Sequence, residues 1–176
     1  MSDTTQNLVE TSPWLNEPDK GDWLDDTTGL HCFIVRGPVG SLCGYVGVDS
    51  KHPWFKRSYN DEVLKPDNWN DRKYDENRTP VIAMICHGLV EDKAKCRIEL
   101  ALDVHGGVTF SNFIHKLRPF SEFAVENLWA FGFDCGHVND FSPGMPTSLQ
   151  EGTYRTWDYV HTEVTGLAKQ LTEVTK

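Results

Sequence analysis

The chain has 176 residues, and its 26 acidic side chains outnumber its 17 basic ones, which gives a formal net charge of −9. This length suits one domain with a substantial buried core. No apolar run approaches the roughly 18 residues of a membrane helix, the first residues lack a secretory signal, and no basic stripe for phosphate binding is present. We therefore expect a cytoplasmic protein that binds neither membranes nor nucleic acid directly.

The acidic residues are concentrated at the amino terminus. Residues 1–30 hold seven acids against one base, which gives −6 by subtraction. We expect residues 1–28 to be a partly ordered extension that packs on the rest of the chain through Trp14, Leu15, Trp23 and Leu24. Residues 29–176 then form a single domain. An acidic surface of this kind serves solubility, or it inhibits a nucleic-acid-binding complex by occupying its basic groove.

The first predicted strands form a hairpin. Leu30–Arg36 and Leu42–Val48 are apolar, β-branched runs on either side of a turn with two glycines and a proline. Residues 49–79 follow as a long surface excursion, in which a short helix is predicted near Trp54–Leu64. Its aromatic residues are expected to attach it to the core: Trp54, Phe55, Tyr59, Trp69 and Tyr74.

Further strands are predicted in the second half of the chain. Val81–Cys86 is a compact apolar run, and Cys96–Val104 alternates enough to predict one buried face. The polar connection between them predicts a second hairpin. Leu128–Phe133 predicts another strand, whereas Val108–Phe110 either prolongs the Cys96–Val104 strand past a bulge or starts a short one.

The last segment has the clearest helical period. Apolar residues recur at steps of three and four between Tyr154 and Val174, and Thr153 or Thr156 can cap the first turn. This stripe is expected to pack on a sheet. The sequence therefore predicts an α+β fold, with an antiparallel or mixed sheet of four to six strands and a long C-terminal helix packed on one face.

A first polar cluster follows one of the predicted strands. His105 precedes Gly106 and Gly107, which permit positive φ or the close approach of a ligand, and Thr109 adds a hydroxyl. A tight strand exit with a hydrogen-bonded histidine is the structural alternative.

A second polar cluster follows the Leu128–Phe133 run. Asp134, His137 and Asp140 recur at steps of three, so their side chains can converge in a turn or a loop. With His105, they offer nitrogen and oxygen ligands that suit a divalent metal such as zinc or manganese and leave positions for water. Without a metal, a carboxylate can fix the tautomer of an imidazole that acts as a general base.

Three neighbouring residues are further candidates. Cys135 is either a nucleophile activated by a histidine or a small buried hydrophobe. Tyr154 and Arg155 precede the predicted helix, where backbone N–H groups and a guanidinium can hold phosphate or carboxylate. Arg155 can equally pair with Asp134 or Asp140. The five cysteines form no Cys-x-x-Cys pair and are expected to be reduced.

Four stretches of the chain are distinctive together: Gly44–Val48, His105–Phe110, Gly132–Asp140, and Tyr154–Arg155 ahead of a helix with Tyr159, Val160 and Glu163. Their HGGxT and FDxxHxxD motifs resemble a family of small, functionally uncharacterised proteins encoded by phages, prophages and some bacteria. The resemblance covers residues 30–50 and 100–174. It implies no reaction, but it implies a mobile-element setting in which a small protein acts in the host cytoplasm against host defence.

Three hypotheses of function follow. The first is a phage-type accessory protein whose pocket binds a small polar ligand or a metal, acting in counter-defence by binding a host protein or a nucleotide signal. Its candidate ligand-binding residues are His105, Thr109, Asp134, Cys135, His137, Asp140, Tyr154 and Arg155. The second is a metal-dependent hydrolase that uses the His/Asp cluster, with Tyr154 and Arg155 holding an anionic substrate. The third is an acidic-surface inhibitor of a nucleic-acid-binding complex.

Overall fold

The main element of the fold is a five-stranded antiparallel sheet. A computed structural model describes residues 12–73, 75, 77–79, 81–90, 93–116, 127–146 and 151–174. In their order across the main sheet, the strands are β1 (Lys20–Leu24), β2 (His31–Arg36), β3 (Leu42–Val48), β7 (Trp129–Asp134) and β6 (Phe110–Phe113). The predicted hairpin of β2 and β3 and the predicted strand at β7 are confirmed.

The carboxy-terminal helix packs on one face of this sheet. Helix α3 (Trp157–Thr172) buries five apolar side chains against β2 and β3, namely Val160, Val164, Leu167, Ala168 and Leu171. The Thr156 hydroxyl caps the helix by accepting from the Tyr159 N–H at 3.3 Å. The predicted α+β fold, its helix and the Thr156 cap are confirmed, although Tyr154 precedes the helix.

A glycine in the sheet sets how closely helix and sheet approach. A Cβ atom at Gly44 in β3 would lie 2.5 Å from the Val164 Cγ2 atom and 2.6 Å from the Phe133 ring. Such distances are shorter than any normal contact, so only glycine lets α3 lie this close to the sheet.

We expect Gly44→Ala to lower the free energy of unfolding by about 1–3 kcal/mol, because it overpacks this interface. Gly166→Ala is the matched control, because Gly166 lies in α3 and the Cβ atom of an alanine there would meet no neighbouring group within 4 Å. There, the helix propensity of alanine should raise stability by up to ~1 kcal/mol. Urea unfolding measures both effects, and equal effects of the two substitutions would contradict the packing argument.

The predicted strands at Val81–Cys86 and Cys96–Val104 are wrong. Val81–Leu89 is a helix, α1, because a short continuous apolar run does not distinguish a strand from a helix. The Cys96–Val104 stretch divides into strand β5 (Lys95–Arg97) and a single helical turn, α2 (Ile98–Ala101). The second predicted hairpin is therefore wrong as well.

Strand β5 instead pairs antiparallel with β4 (Glu62–Leu64), which lies in the long excursion of residues 49–79. The short helix predicted at Trp54–Leu64 is wrong, because turns and β4 occupy this stretch. Trp54 and Trp69 are 8% and 3% exposed, so these two aromatic residues do attach the excursion to the core. Tyr74 lies outside the described residues. Of the two alternatives at Val108–Phe110, a short strand is present, since β6 begins at Phe110.

The amino-terminal segment contributes to the main sheet through its edge strand, β1. Trp14 packs on Phe141 with ring centroids 5.2 Å apart, and Trp23 stacks on His161 at 4.5 Å. Leu15 and Leu24, expected to help attach this segment, are 57% and 60% exposed.

None of the five cysteines, all of which lie within the described residues, forms a disulfide. Within the described ranges, none of the helices has the length and apolar character that crossing a membrane requires.

Candidate functional site

The two polar clusters of the sequence meet at one place. His105 lies in the loop after α2, and Asp140 lies in the two-residue strand β8 (Asn139–Asp140). The His105 Nε2 atom is 2.8 Å from Asp140 Oδ2, although 35 positions separate the residues. Both are buried, with 1% and 5% of their surface exposed.

A pair of two-residue strands positions the Asp140 side chain. Strand β8 pairs in parallel with β9 (Gly152–Thr153), and a Cβ atom at Gly152 would lie 2.6 Å from the Asn139 backbone. Asn139 has a φ of 78°, in the left-handed region that asparagine tolerates better than most residues. The close approach of these two short strands turns the Asp140 side chain toward His105.

His105 is held from three sides. Its Nδ1 atom lies 3.0 Å from the Tyr159 hydroxyl, and its backbone N–H donates to Glu163 Oε2 at 2.7 Å. An ionised carboxylate only accepts hydrogen bonds, so the His105 Nε2 atom carries a proton that it donates to Asp140. Burial raises the pKa of Tyr159 to about 12, so the phenol stays protonated and can donate to Nδ1.

Asp140 collects several donors on one buried carboxylate. Its Oδ1 atom accepts from Arg155 Nε at 2.7 Å, and its Oδ2 atom accepts from the His137 backbone N–H at 3.1 Å as well as from His105. Burial alone would raise the pKa of Asp140, but the bonds from His105, His137 and Arg155 lower it well below its usual range. The salt bridge predicted for Arg155 is therefore formed with Asp140.

The His137 ring rests on the backbone of Gly106. A Cβ atom at Gly106 would lie 2.0 Å from His137 Cε1, and Gly106 has a φ of +69°. Both facts require glycine. The first glycine of the His-Gly-Gly motif thus makes room for an imidazole of the second cluster.

One nitrogen of the His137 ring lacks a hydrogen bond to the described residues. His137 Nδ1 is buried and forms no hydrogen bond within the part of the chain that the structure describes. It lies 3.7 Å from Asp140 Oδ2 and 4.0 Å from Asp134 Oδ1. The contact with Asp140 raises the pKa of His137, burial opposes the rise, and the charge of Asp134 supports it. The site therefore favours positive charge at this position.

His105, His137 and Asp140 form a cluster with metal-ligand chemistry. One potential ligand atom from each residue lies within 4.8 Å of the other two. Asp134, the fourth predicted ligand, is not in this group. Its carboxylate accepts from the Thr109 hydroxyl at 3.3 Å and from the Gly136 N–H at 3.0 Å, and its side chain is 42% exposed.

The remaining predicted site residues make other contacts. Cys135 is 1% exposed, and burial together with the nearby carboxylates raises the pKa of its thiol, which disfavours the thiolate that a nucleophile requires. The Tyr154 hydroxyl donates to Glu17 Oε2 at 2.6 Å and accepts from Arg36 Nη1 at 2.7 Å. The structure thus brings Arg155, but not the Tyr154 hydroxyl, onto Asp140.

Sequence reasoning assigned no role to Tyr159 and Glu163 of α3, which orient His105. Glu163 also accepts from Arg78 Nε at 3.0 Å. The two helix residues are four positions apart and so lie on the same side of a helix. That spacing was the available signal, but it does not identify which loop they contact.

The lowered pKa of Asp140 predicts how stability depends on pH. The stabilisation is present above the unfolded pKa of about 3.9 and is lost as pH falls through the lower folded pKa. We expect the free energy of unfolding to fall more steeply from about pH 5 to pH 2 in the wild type than in Asp140→Asn. Urea unfolding in the presence of a chelator measures this difference, and parallel curves would show that the Asp140 contacts do not stabilise its ionised form.

In comparisons with known proteins, no family model, no curated protein and no solved structure matches the chain.

Proposed function

We propose that the protein binds a divalent metal ion of the zinc or manganese class through His105, His137 and Asp140. The observation that carries this proposal is the buried Nδ1 atom of His137, which lies 3.7 Å from the Asp140 carboxylate and forms no hydrogen bond with any residue that the structure describes. A buried polar atom without a partner costs roughly 1–3 kcal/mol. A metal ion bound by Nδ1 removes this cost.

The distances in the cluster support a common ion. Metal–ligand bonds to imidazole and carboxylate measure about 2.0–2.2 Å, so two ligands of one ion lie roughly 3–3.5 Å apart. The Asp140 Oδ2 atom lies 2.8 Å from His105 Nε2 and 3.7 Å from His137 Nδ1. Small shifts of side chains therefore suffice to place the three ligands around an ion.

Tyr159 suits the change of tautomer that metal binding requires. When His105 Nε2 binds a cation, its proton moves to Nδ1, which must then donate rather than accept. A tyrosine hydroxyl can take either role, and the Tyr159 oxygen already lies 3.0 Å from Nδ1. Such an outer partner orients a metal-bound histidine.

The site also has a solvent side. The His105 and Asp140 side chains are 2% and 1% exposed, whereas the His137 side chain is 25% exposed. Three protein ligands leave a fourth position open for water or for a polar ligand. We therefore favour a binding module whose metal ion contributes to the recognition of a polar group.

Metal titration of the full chain tests this proposal. Chelator-treated protein should bind one zinc ion in isothermal titration calorimetry, and its melting temperature should rise with zinc concentration. His137→Ala should lose both effects, whereas His115→Ala should keep them, because His115 is an exposed histidine that stacks on Phe113. Equal zinc binding by the wild type and His137→Ala would refute the site.

A metal-dependent hydrolase is the second candidate function. Asp134 favours it, because this exposed carboxylate lies 4.0 Å from His137 Nδ1 and is oriented by the Thr109 hydroxyl. A carboxylate beside a metal-bound water can act as a general base. Zinc- or manganese-loaded protein should then hydrolyse bis(4-nitrophenyl) phosphate, and Asp134→Asn should bind metal but not hydrolyse the ester. Metal binding without hydrolysis would remove this candidate and leave the first.

The accessory role in counter-defence belongs to the same proposal. A host protein bound through the metal site should be retained from a bacterial lysate by the wild type and released by a chelator or by His137→Ala. The acidic-surface alternative predicts that the partner is released by high salt, because salt screens exposed charges, and that chelator has no effect.

A further inference from the structure

A second candidate site lies between the β4–β5 pair and the end of α3. A cavity of about 570 Å³ opens there, and none of the residues of the His105 cluster lines it. Pockets for small organic molecules usually measure about 300–1,000 Å³. The cavity is therefore large enough for a ligand that is independent of the proposed metal ion.

Part of the cavity wall is the surface of the main core. Trp54, Val63 and Leu102 line it, and these residues are 8%, 6% and 4% exposed. They belong to the same hydrophobic cluster as the buried face of α3. Rigid apolar walls of this kind fit the hydrocarbon or aromatic part of a ligand.

The charge of the lining is opposite to that of the whole chain. Four bases (Arg57, Lys65, Arg72 and Lys95) and three acids (Glu62, Asp67 and Glu173) line the cavity, which gives +1 by subtraction. The chain as a whole carries −9. The lining thus disfavours an anion less than the net charge of the whole chain would suggest.

Two of these bases are available for a ligand. Arg57 pairs only at 3.9 Å with Asp61, and its side chain is 43% exposed. Lys95 is exposed and forms no ion pair with the residues that the structure describes. By contrast, Arg72 donates to the Leu100 and Ala101 carbonyl oxygens and thus serves the fold.

We propose that this cavity binds a small organic anion, with its apolar body against Trp54, Val63 and Leu102 and its carboxylate, sulfonate or phosphate group near Arg57 and Lys95. The combination of an apolar floor with two cations at the edge, of which Arg57 is paired only at 3.9 Å and is 43% exposed, selects this class over neutral or cationic ligands.

The dye 8-anilinonaphthalene-1-sulfonate has this chemistry and is a suitable probe. In a fluorescence titration of the folded full chain with chelator present, we expect saturable binding of one dye per chain. The double variant Arg57→Glu/Lys95→Glu should weaken the affinity about tenfold or more. Val174→Trp, which places a large side chain in the lining near the chain end, should weaken it as well.

Two controls separate this cavity from other dye-binding surfaces. Lys51→Glu reverses an exposed charge outside the cavity. Ile85→Asp disrupts the exposed apolar surface of α1, where Ile85 and Leu89 are 54% and 72% exposed. Both controls should keep the affinity within about twofold. Loss of binding in Ile85→Asp, no effect of the cavity variants, or no saturable binding would each overturn the proposal.

Discussion

Replacing Asp140 with alanine should lower the free energy of unfolding by about 3–5 kcal/mol, because it removes one partner of a buried ion pair. The Asp140 and Arg155 side chains are 1% and 12% exposed, and their atoms meet at 2.7 Å. Without the carboxylate, the Nε–H of Arg155 and the Nε2 atom of His105 lose their hydrogen-bond partner, and each unsatisfied buried donor adds to the cost. Urea unfolding with chelator present measures the loss without any contribution from metal.

Asp134→Ala is the matched control for this experiment. Asp134 ends β7, six residues before Asp140. Its side chain is 42% exposed, and its carboxylate accepts from the Thr109 hydroxyl and the Gly136 N–H. Exposed interactions of this kind contribute about 1 kcal/mol or less. If the two aspartate variants lost equal stability, the central position of Asp140 in the network would be contradicted.

Gly106→Ala should lower zinc affinity more than about 100-fold, because the new methyl group occupies the place of the His137 ring. Loss of a residue that only hydrogen-bonds to a metal ligand already costs about 10–100-fold. A Cβ at Gly106 would lie 2.5 Å from His137 Nδ1, the proposed ligand atom. The ring must move away, and the cluster loses one of its three ligands.

Gly107→Ala separates this effect from backbone strain. Gly107 has a φ of +81°, so alanine there also costs roughly 1–2 kcal/mol in the left-handed region. However, its Cβ would meet only the Glu99 carbonyl oxygen at 3.7 Å, an ordinary contact. We expect Gly107→Ala to lose stability but to keep zinc affinity within about tenfold. Calorimetric titration of both variants measures this, and equal loss of affinity would show that strain, not the position of His137, is responsible.

Much of the fold was predictable because its main elements have strong periods. The β2–β3 hairpin has a turn signal between two apolar runs, and α3 repeats apolar residues over four turns. Val81–Cys86 has neither property. The sequence predicts a strand there where the structure has a helix, because an apolar run without alternation fits a helix as well as a buried strand. Cys96–Val104 was misread because its alternation extends over a strand of three residues and a helical turn of four.

The candidate site was predictable in its residues but not in its contacts. Polar residues directly after strand-like runs identified His105, His137 and Asp140, since strand ends commonly carry functional side chains. The glycines after His105 indicated a close approach, but the neighbour of Gly106 is the His137 ring rather than a ligand. The parallel β8–β9 pair that orients Asp140 has only two residues in each strand, too few for a sequence pattern.

The position of zinc in a crystal of the zinc-loaded protein decides whether His105, His137 and Asp140 form a metal site. Crystals of the zinc-loaded full chain, measured at the zinc absorption edge, should show one anomalous peak within about 2.0–2.2 Å of His105 Nε2, His137 Nδ1 and an Asp140 oxygen. In that structure the Tyr159 hydroxyl should still contact His105 Nδ1. A zinc-loaded crystal whose anomalous peak lies elsewhere, with the hydrogen bond between His105 and Asp140 intact, would contradict the proposed site.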